Sequence, residues 1–193
     1  MVIRIGVTGG IATGKSTVGK LLEDLCVPVL DADAVVHALL ATDDSLRQKI
    51  LGAFGADVFL PNGQVNRSAL GAIVFQDAVK RRLLESWIHP QVRVAIDRFF
   101  EQHGEKAYAA ALVPLIYESD LVSHFDAVWV VYATPQQQLE RLMQFRHLSQ
   151  AQAQERIASQ MSIDEKARRA DRVIDNVGSL SLLKPQLEAL LQK

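Results

Sequence analysis

A glycine-rich segment near the start of the chain carries a lysine and a hydroxyl residue at a spacing that binds phosphate. Residues 9–16 read Gly-Gly-Ile-Ala-Thr-Gly-Lys-Ser and match the pattern G-x-x-x-x-G-K-[S/T]. In such a loop the backbone amides and the dipole of the following helix face an anion. Lys15 can bridge the β- and γ-phosphates, and the Ser16 hydroxyl can ligate Mg²⁺. We predict a nucleotide site formed by Gly10, Ile11, Ala12, Thr13, Gly14, Lys15, Ser16 and Thr17.

A carboxylate follows the second predicted strand of the chain. Asp33 lies just beyond residues 27–30, a short apolar run, and Asp31 precedes it by two positions. At the carboxyl edge of a parallel sheet, Asp33 could accept the proton of an attacking hydroxyl while ATP occupies the loop. From its position alone, Asp33 could equally cap the helix that follows. Asp31 is expected to have a supporting role.

Arginines in the second half of the chain could stabilise the charge on a transferring phosphate. Arg141 and Arg146 follow the fourth predicted strand, on a helix that Thr134 and Pro135 begin. The alternative is that both arginines lie on a solvated helix face. A later basic cluster is expected to be a solvated face with some ion pairs, although one member could face a phosphate: Lys166, Arg168, Arg169 and Arg172.

The elements that would position these residues alternate between strands and helices. Short apolar, β-branched runs predict strands at residues 2–8, 27–30, 107–113, 127–132 and 172–174. Such alternation predicts an α/β fold with a five-stranded parallel sheet and helices on both faces. Residues 42–104 show mostly helical spacing and are expected to form an inserted helical, acceptor-binding lobe. The chain is thus predicted to be one domain, with a core of residues 1–41 and 105–193 and a helical lid at about residues 140–170.

Composition narrows the class of protein. The 193 residues are 49% hydrophobic with a net charge of −1, which argues against a nucleic-acid partner. The single cysteine, Cys26, cannot form an internal disulfide, and no targeting or membrane segment is evident. We expect a cytoplasmic protein without a membrane partner, as a monomer or weak homo-oligomer.

The phosphate loop by itself does not select a reaction. The guanine-binding pattern N-K-x-D is absent, and the D-x-x-G at residues 175–178 lies too far from the loop for a GTPase switch. A helical insertion and an arginine-bearing segment instead favour a kinase that closes over a small hydroxyl acceptor and excludes water. A nucleotide-sensing module without acceptor chemistry is the alternative from a different class.

Six motifs in chain order resemble those of the dephospho-CoA kinase family. They are VTGGIATGKST, Asp-Ala-Asp at residues 31–33, Ile-His-Pro at 88–90, V-P-L-I-Y-E at 113–118, Q-x-x-R at 138–141 and V-I-D-N-x-G at 173–178. The resemblance covers residues 3–178. It implies a P-loop fold like that of nucleoside monophosphate kinases, and ATP-dependent phosphorylation of the ribose 3′-hydroxyl of dephospho-CoA. A kinase for another small hydroxyl or for a nucleoside monophosphate is the alternative, because it would share the loop, Asp33 and the lid.

The resemblance also implies roles for individual residues. Asp33 is implied as the general base, Arg141 as a ligand of the ATP phosphates, and Asn176 and Gly178 as neighbours of the adenine. The residues implied near the acceptor are His89, Pro90, Tyr117 and Glu118, and Arg67 is a candidate for its phosphate groups. His89 could instead hold a turn at a helix end before Pro90, and Tyr117 could serve packing.

One position departs from the family pattern. The family usually has a further arginine four residues after that of Q-x-x-R, where this chain has Phe145. Arg146 could replace it only if the helix end reorients, because one residue turns a helical side chain by about 100°.

Overall fold

The computed structural model describes residues 1–192, with five strands in one parallel sheet. The strands are β1 (Ile3–Gly9), β2 (Val29–Asp31), β3 (Tyr108–Leu112), β4 (Ala127–Tyr132) and β5 (Arg172–Asp175). Their order is β2-β3-β1-β4-β5, and every neighbouring pair is parallel. The predicted five-stranded parallel sheet is therefore confirmed. Since β1 is central, its carboxyl end lies between those of β3 and β4, where parallel sheets bind ligands.

Nine helices accompany the strands in the described residues. They are α1 (Lys15–Asp24), α2 (Ala32–Thr42), α3 (Asp44–Phe54), α4 (Arg67–Gln76), α5 (Ala78–Gln102), α6 (Pro135–Arg146), α7 (Gln150–Ala158), α8 (Ile163–Arg169) and α9 (Leu183–Leu191). None of the helices in this part of the chain has the length and apolar character required to cross a bilayer.

The side chains of β1 alternate between two covered faces. Ile5 and Val7 are fully buried in a cluster with Val18 and Leu22 of α1 and with residues of α9. On the opposite face, a Cβ at Gly6 would overlap the side chains of Phe125 and Ile116. The central strand is thus apolar on both faces, as a sheet between two helical layers requires.

The described chain divides into two compact units. The first comprises Met1–Asp31 with Arg98–Lys193, and the second is Ala32–Asp97. The first unit contains the sheet and the phosphate loop. The second contains only helices and short turns apart from one isolated bridge, Phe59 to Val65. Sequence reasoning had put the insertion at residues 42–104; in the structure α2 belongs to it, and the last turn of α5 does not.

Local capping explains where the helices after β4 begin. The Thr134 hydroxyl accepts a hydrogen bond from the backbone amide of Gln137, the Gln137 Oε1 atom accepts one from the backbone amide of Thr134, and Pro135 takes the first helical position. Ser149 and Gln152 form the same reciprocal box at the start of α7. Ser162 accepts from the Glu165 amide and begins α8. All three helix starts have the spacing Ser/Thr-x-x-Glu/Gln, which is the sequence signature of a helix N-terminus.

The Ile-His-Pro motif lies in the middle of a helix. Pro90 is inside α5, which continues for twelve residues beyond it to Gln102. The suggestion that His89 holds a turn at a helix end before Pro90 is therefore wrong. Proline removes one backbone hydrogen bond from a helix, and the other turns of this 25-residue helix are sufficient to carry it through.

Candidate active site

The loop between β1 and α1 turns through two residues in the left-handed region. Gly14 has a φ of 100° and Ala12 a φ of 61°. The Thr13 amide and hydroxyl both donate to the Gly10 carbonyl, at 3.3 and 2.9 Å, which closes the turn. Left-handed backbone is accessible to glycine but costs alanine about 1 kcal/mol. The loop thus holds some strain at Ala12.

The N-terminus of α1 presents unpaired amides at the end of this loop. Thr17 and Val18 donate to the Gly14 carbonyl, at 3.0 and 3.1 Å, whereas the amides of Lys15 and Ser16 have no acceptor in the described part of the chain. Neither does any side chain cap this helix. Unsatisfied amides together with the helix dipole form an anion site. This is the arrangement that the loop motif predicts.

Two positions of the loop have no room for a side chain. A Cβ on Gly14 would collide with the Asn176 amide, and one on Gly10 would collide with that of Gln138. Asn176 is 3% exposed and Gln138 is 2% exposed. Glycine is therefore required here by close packing, as well as by backbone conformation at Gly14.

Arg141 lies against the outer side of the phosphate loop. Its guanidinium donates to the carbonyls of Ala12 at 3.2 Å and Asn176 at 2.9 Å, with a longer contact of 3.5 Å to Thr13. The side chain is half-buried. Arg141 therefore joins the loop to the chain after β5, and its predicted contact with the ATP phosphates stays a prediction.

Two glutamines hold the backbone of Ile11. Gln138 Nε2 donates to the Ile11 carbonyl at 2.7 Å, and Gln160 Oε1 accepts from the Ile11 amide at 2.9 Å. Sequence reasoning missed both. Gln138 belongs to the Q-x-x-R motif and could have been found there, but Gln160 is 149 residues from its partner and no local pattern marks it.

Asn176 binds the phosphate loop through its side chain. Its side-chain Nδ2 atom donates to the Thr13 carbonyl at 2.7 Å, and its backbone amide donates to the Tyr132 carbonyl at 2.8 Å. The Oδ1 atom is buried and has no hydrogen-bond partner among the described residues. Gly178 lies two residues later, in the exposed turn after β5. Their predicted place beside an adenine is not tested by these contacts.

The two aspartates of the Asp-Ala-Asp motif fall in different elements. Asp31 is the last residue of β2, and Asp33 is the second residue of α2, where its side chain is exposed. Because α2 already begins at Ala32, Asp33 lies inside the first turn rather than at the cap position. Asp33 therefore does not occupy the N-cap position of α2, which is the position that the capping interpretation requires.

Besides Asp33, three predicted acceptor residues lie in the helical unit. Arg67 is the exposed first residue of α4, after Asn66, whose side chain accepts from the Ala69 amide. His89 is half-buried and Pro90 exposed, both within α5. Burial lowers the pKa of His89; Arg93 lowers it further, and Glu85 opposes them. His89 is therefore neutral near pH 7.

Tyr117 and Glu118 lie in the unit that contains the sheet, after β3. The Tyr117 hydroxyl is buried without a hydrogen-bond partner in the described residues. Burial raises the pKa of Tyr117, the Asp171 carboxylate adds to this, and Arg169 opposes it. The neutral phenol can therefore still donate a hydrogen bond. Glu118 forms an ion pair with Lys166 at 2.8 Å.

Lys166 is fully buried, which contradicts its predicted place on a solvated face. Two of its neighbours on α8 do lie on an exposed face, where Arg168 and Arg169 pair with Glu165, each at 2.7 Å. The prediction failed because Lys166 was assigned to the same face as these arginines. Only the helix face that carries Lys166 turns inward.

The region of the missing family arginine is exposed. Phe145 is 67% exposed, and Arg146 is the exposed last residue of α6, before His147 at a φ of 52°. Whether Arg146 replaces the missing arginine stays a prediction.

The donor set at the loop suits a magnesium ion that is held mainly by nucleotide phosphates. Ser16 is exposed at the start of α1, and a hydroxyl there is a ligand that Mg²⁺ accepts alongside phosphate oxygens and waters. No cluster of three or more His, Cys, Asp or Glu residues in the described chain could hold a metal by itself. The protein would thus contribute Ser16 to a metal that arrives with its nucleotide.

The parallel sheet and the amide-lined loop define a P-loop kinase fold. Shikimate kinase from Acinetobacter baumannii has this fold at a TM-score of 0.55 and 17% identity, covering 100% of this chain and 94% of its own. A likeness at that identity shows the fold alone.

The family follows from the sequence comparisons. The profile of the dephospho-CoA kinase family matches residues 3–181. A dephospho-CoA kinase of Symbiobacterium thermophilum is 47% identical over 96% of this chain and 78% of its own length. One of Bacillus cereus is 40% identical over 100% of this chain and 98% of its own. The chain belongs to the dephospho-CoA kinase family.

Solved structures agree with this assignment. A Thermus thermophilus protein superposes with a TM-score of 0.83 at 30% identity, covering 99% of this chain and 97% of its own. Dephospho-CoA kinase from Campylobacter jejuni superposes with a TM-score of 0.74 at 29% identity, covering 100% of this chain and 96% of its own. The family resemblance read from the sequence is confirmed, and the comparisons give no support to the alternative acceptors.

Proposed function

We propose that this chain transfers the γ-phosphoryl group of ATP to the ribose 3′-hydroxyl of dephospho-CoA, giving coenzyme A and ADP in the final step of CoA biosynthesis. The observation that carries the proposal is the pair of unpaired amides at Lys15 and Ser16, at the carboxyl end of the central strand, in a chain of this family. The working compartment would be the cytoplasm, and the enzyme would be a monomer or weak homo-oligomer.

The phosphate loop would bind ATP through fixed donors. Within the loop from Gly10 to Thr17, the unpaired amides of Lys15 and Ser16 would face the nucleotide phosphates, and the Lys15 ammonium would neutralise charge between the β- and γ-phosphates. Ser16 would hold Mg²⁺, which supplies further charge neutralisation when bound. Because these donors are already oriented, little reorganisation is needed as charge moves to the leaving oxygen.

Arg141 is the catalytic cation of the proposal. Its three backbone acceptors keep the guanidinium against the loop. A guanidinium has five donors, so Arg141 can keep some of these bonds and turn an N–H toward a phosphate oxygen. Asn176 and Gly178 would complete the nucleotide site beside the adenine.

Asp33 would act as the general base. A carboxylate that accepts the proton of the 3′-hydroxyl makes the oxygen nucleophilic as the O–P bond forms. The remaining acceptor residues are Arg67, His89, Pro90, Tyr117 and Glu118. The helices at residues 140–170 would serve as a lid that excludes water, because ATP would otherwise be hydrolysed.

Product analysis with competing acceptors tests this function. Purified protein is incubated with Mg-ATP and either dephospho-CoA, a nucleoside monophosphate or shikimate, and the products are separated by chromatography. Only dephospho-CoA is expected to be phosphorylated, with one ADP formed per coenzyme A. Phosphorylation of another acceptor without formation of coenzyme A would reject the assignment, and ATP binding without any product would indicate a sensing module.

A further inference from the structure

A buried lysine of α8 binds the segment that follows β3. The Lys166 side chain is 0% exposed, and its ammonium donates to Glu118 Oε1 at 2.8 Å and to the Pro114 carbonyl at 2.9 Å. The same carbonyl accepts from the Thr8 hydroxyl, at 2.9 Å. Thr8 is the residue before the last one of β1. The lysine is thus tied to the strand that leads into the phosphate loop.

Burying an ammonium group is costly unless its charge and its protons are matched. Lys166 has an ionic partner and a carbonyl acceptor, and the side chain of Glu118 remains 23% exposed. Replacing both partners of a buried ion pair by apolar residues of similar volume is often neutral or stabilising, whereas removing one partner alone is destabilising. Since stability alone does not require a charge here, the pair points to a need for defined geometry.

The Glu118 carboxylate also fixes the segment between α7 and α8. Its Oε1 atom accepts the Met161 amide at 3.0 Å. The preceding residue, Gln160, accepts the Ile11 amide of the phosphate loop at 2.9 Å. The two adjacent residues of this segment therefore have different partners: Met161 is bound by Glu118, and Gln160 by the phosphate loop.

We propose that Lys166 is a positioning residue for phosphoryl transfer, which acts by holding Glu118, and through Glu118 the Gln160–Met161 segment, on the phosphate loop. The proposal rests on the proposed kinase function and extends it to three side chains outside the loop motif. In this proposal Lys166 contacts no reacting group. It determines the position at which Gln160 accepts the hydrogen bond from the Ile11 amide. Glu118 then serves the loop in addition to, or in place of, the acceptor contact predicted for it.

A double-mutant cycle on Lys166→Met and Gln160→Ala tests the linkage. Each single variant is expected to lower kcat/KM for ATP by about five- to tenfold, the scale of one lost hydrogen-bonding contact. The double variant should lose no more kcat/KM than the more impaired of the two single variants, because both changes interrupt the same set of contacts. Independent losses that multiply in the double variant would overturn the proposal.

Thermal unfolding separates positioning from stability. Lys166→Met removes a buried ion pair and is expected to lower the melting temperature, whereas Gln160→Ala, at a half-buried site, should leave it within about 1 °C. Equal kinetic losses with unequal melting temperatures support positioning. If Lys166→Met does not fold, Gln160→Ala alone decides: unchanged kcat/KM for ATP would reject the linkage.

The matched control is Arg168→Met, two residues along the same helix. Arg168 is also ion-paired, to Glu165 at 2.7 Å, but its side chain is 75% exposed. Its kinetics are expected to stay within twofold of wild type. A wild-type protein that makes no coenzyme A would reject the proposed function only. The same cycle, measured as the Kd of a non-hydrolysable ATP analogue, would then still test the linkage.

Discussion

Asp33 stands in the first turn of α2 with its side chain exposed, so its replacement by asparagine changes the charge and little else in the packing. Asparagine cannot accept the proton of a hydroxyl. We therefore expect Asp33→Asn to lower kcat by about 100-fold or more while the Kd for ATP is retained. Steady-state kinetics and calorimetric titration measure the two quantities.

The control for this variant is Asp24→Asn. Asp24 is the exposed last residue of α1, so removing its charge should leave kcat unchanged. If Asp33→Asn turned over as fast as Asp24→Asn, Asp33 would not be the base.

His89 should make the stability depend on pH. Its pKa is below the ordinary value of 6.5 in the folded chain, chiefly because of burial. As the pH falls through 6.5, the unfolded chain binds a proton before the folded one does, so the free energy of unfolding decreases. Below the folded pKa both states are protonated and the decline stops. We expect His89→Gln to flatten this slope in urea titrations between pH 7.5 and 5.

Glu85→Gln provides a control of opposite sign. Glu85 raises the pKa of His89, so its neutralisation should lower that pKa further and steepen the loss of stability in acid. A flatter slope in this variant would contradict the assignment of the effect to His89.

Site residues differed in how far sequence could identify them. The loop residues from Gly10 to Thr17 follow one pattern in which each position has a chemical reason, and Asp33 follows the end of a strand. Gln160 and Lys166 have no such pattern, because their partners lie 149 and 48 to 52 residues away. Contacts of that kind depend on how α7 and α8 return to the sheet.

At the scale of elements, the phosphate loop is joined to α1 at Gly14, which is the N-cap residue of that helix. Gly14 combines a φ of 100° with contact to Asn176, so Gly14→Ala strains the backbone and displaces the amide below it. We expect at least a 50-fold weaker Kd for ATP and a lower melting temperature. Calorimetric titration and thermal unfolding are the measurements.

Gly52→Ala is the matched substitution in a helix without such constraints. Gly52 lies inside α3, and a Cβ there would meet nothing within 4 Å. Alanine should raise the free energy of unfolding by about 0.5–1 kcal/mol and leave the Kd for ATP unchanged. Equal effects on Kd from the two substitutions would show that the loop geometry is not the cause.

Most elements were predictable because their signals are local. The strand at residues 127–132 and the helix start at Thr134 and Pro135 agree with the structure residue for residue. The other strands agree within two residues. Pro90 was not predictable in the same way: proline usually ends a helix, whereas α5 continues beyond it to Gln102.

At the scale of the whole molecule, the chain separates its proposed tasks between two units. The nucleotide residues all belong to the unit with the sheet, as do the proposed acceptor residues Tyr117 and Glu118. Asp33, Arg67 and His89 belong to residues 32–97. The sequence placed the helical insertion at residues 42–104, whereas the compact helical unit is Ala32–Asp97, because α2 continues directly from the end of β2.

Hydrogen exchange should reveal this division. A non-hydrolysable ATP analogue is expected to slow exchange at residues 9–18 and little within residues 32–97, whereas dephospho-CoA should slow exchange around Arg67 and His89. The comparison is made by mass spectrometry on the same protein with each ligand alone. Protection by dephospho-CoA confined to the unit with the sheet would contradict the acceptor roles proposed for Arg67 and His89.

The two border strands of the sheet are its shortest. β2 has three residues and β5 has four, whereas the inner strands have five to seven. A border strand offers unpaired amides and carbonyls to other chains, and short borders limit how many such bonds an incoming strand can form. The native sheet is thereby a poor template for intermolecular strand addition. At high concentration, aggregation of this protein should therefore proceed through unfolded chains rather than through the folded sheet.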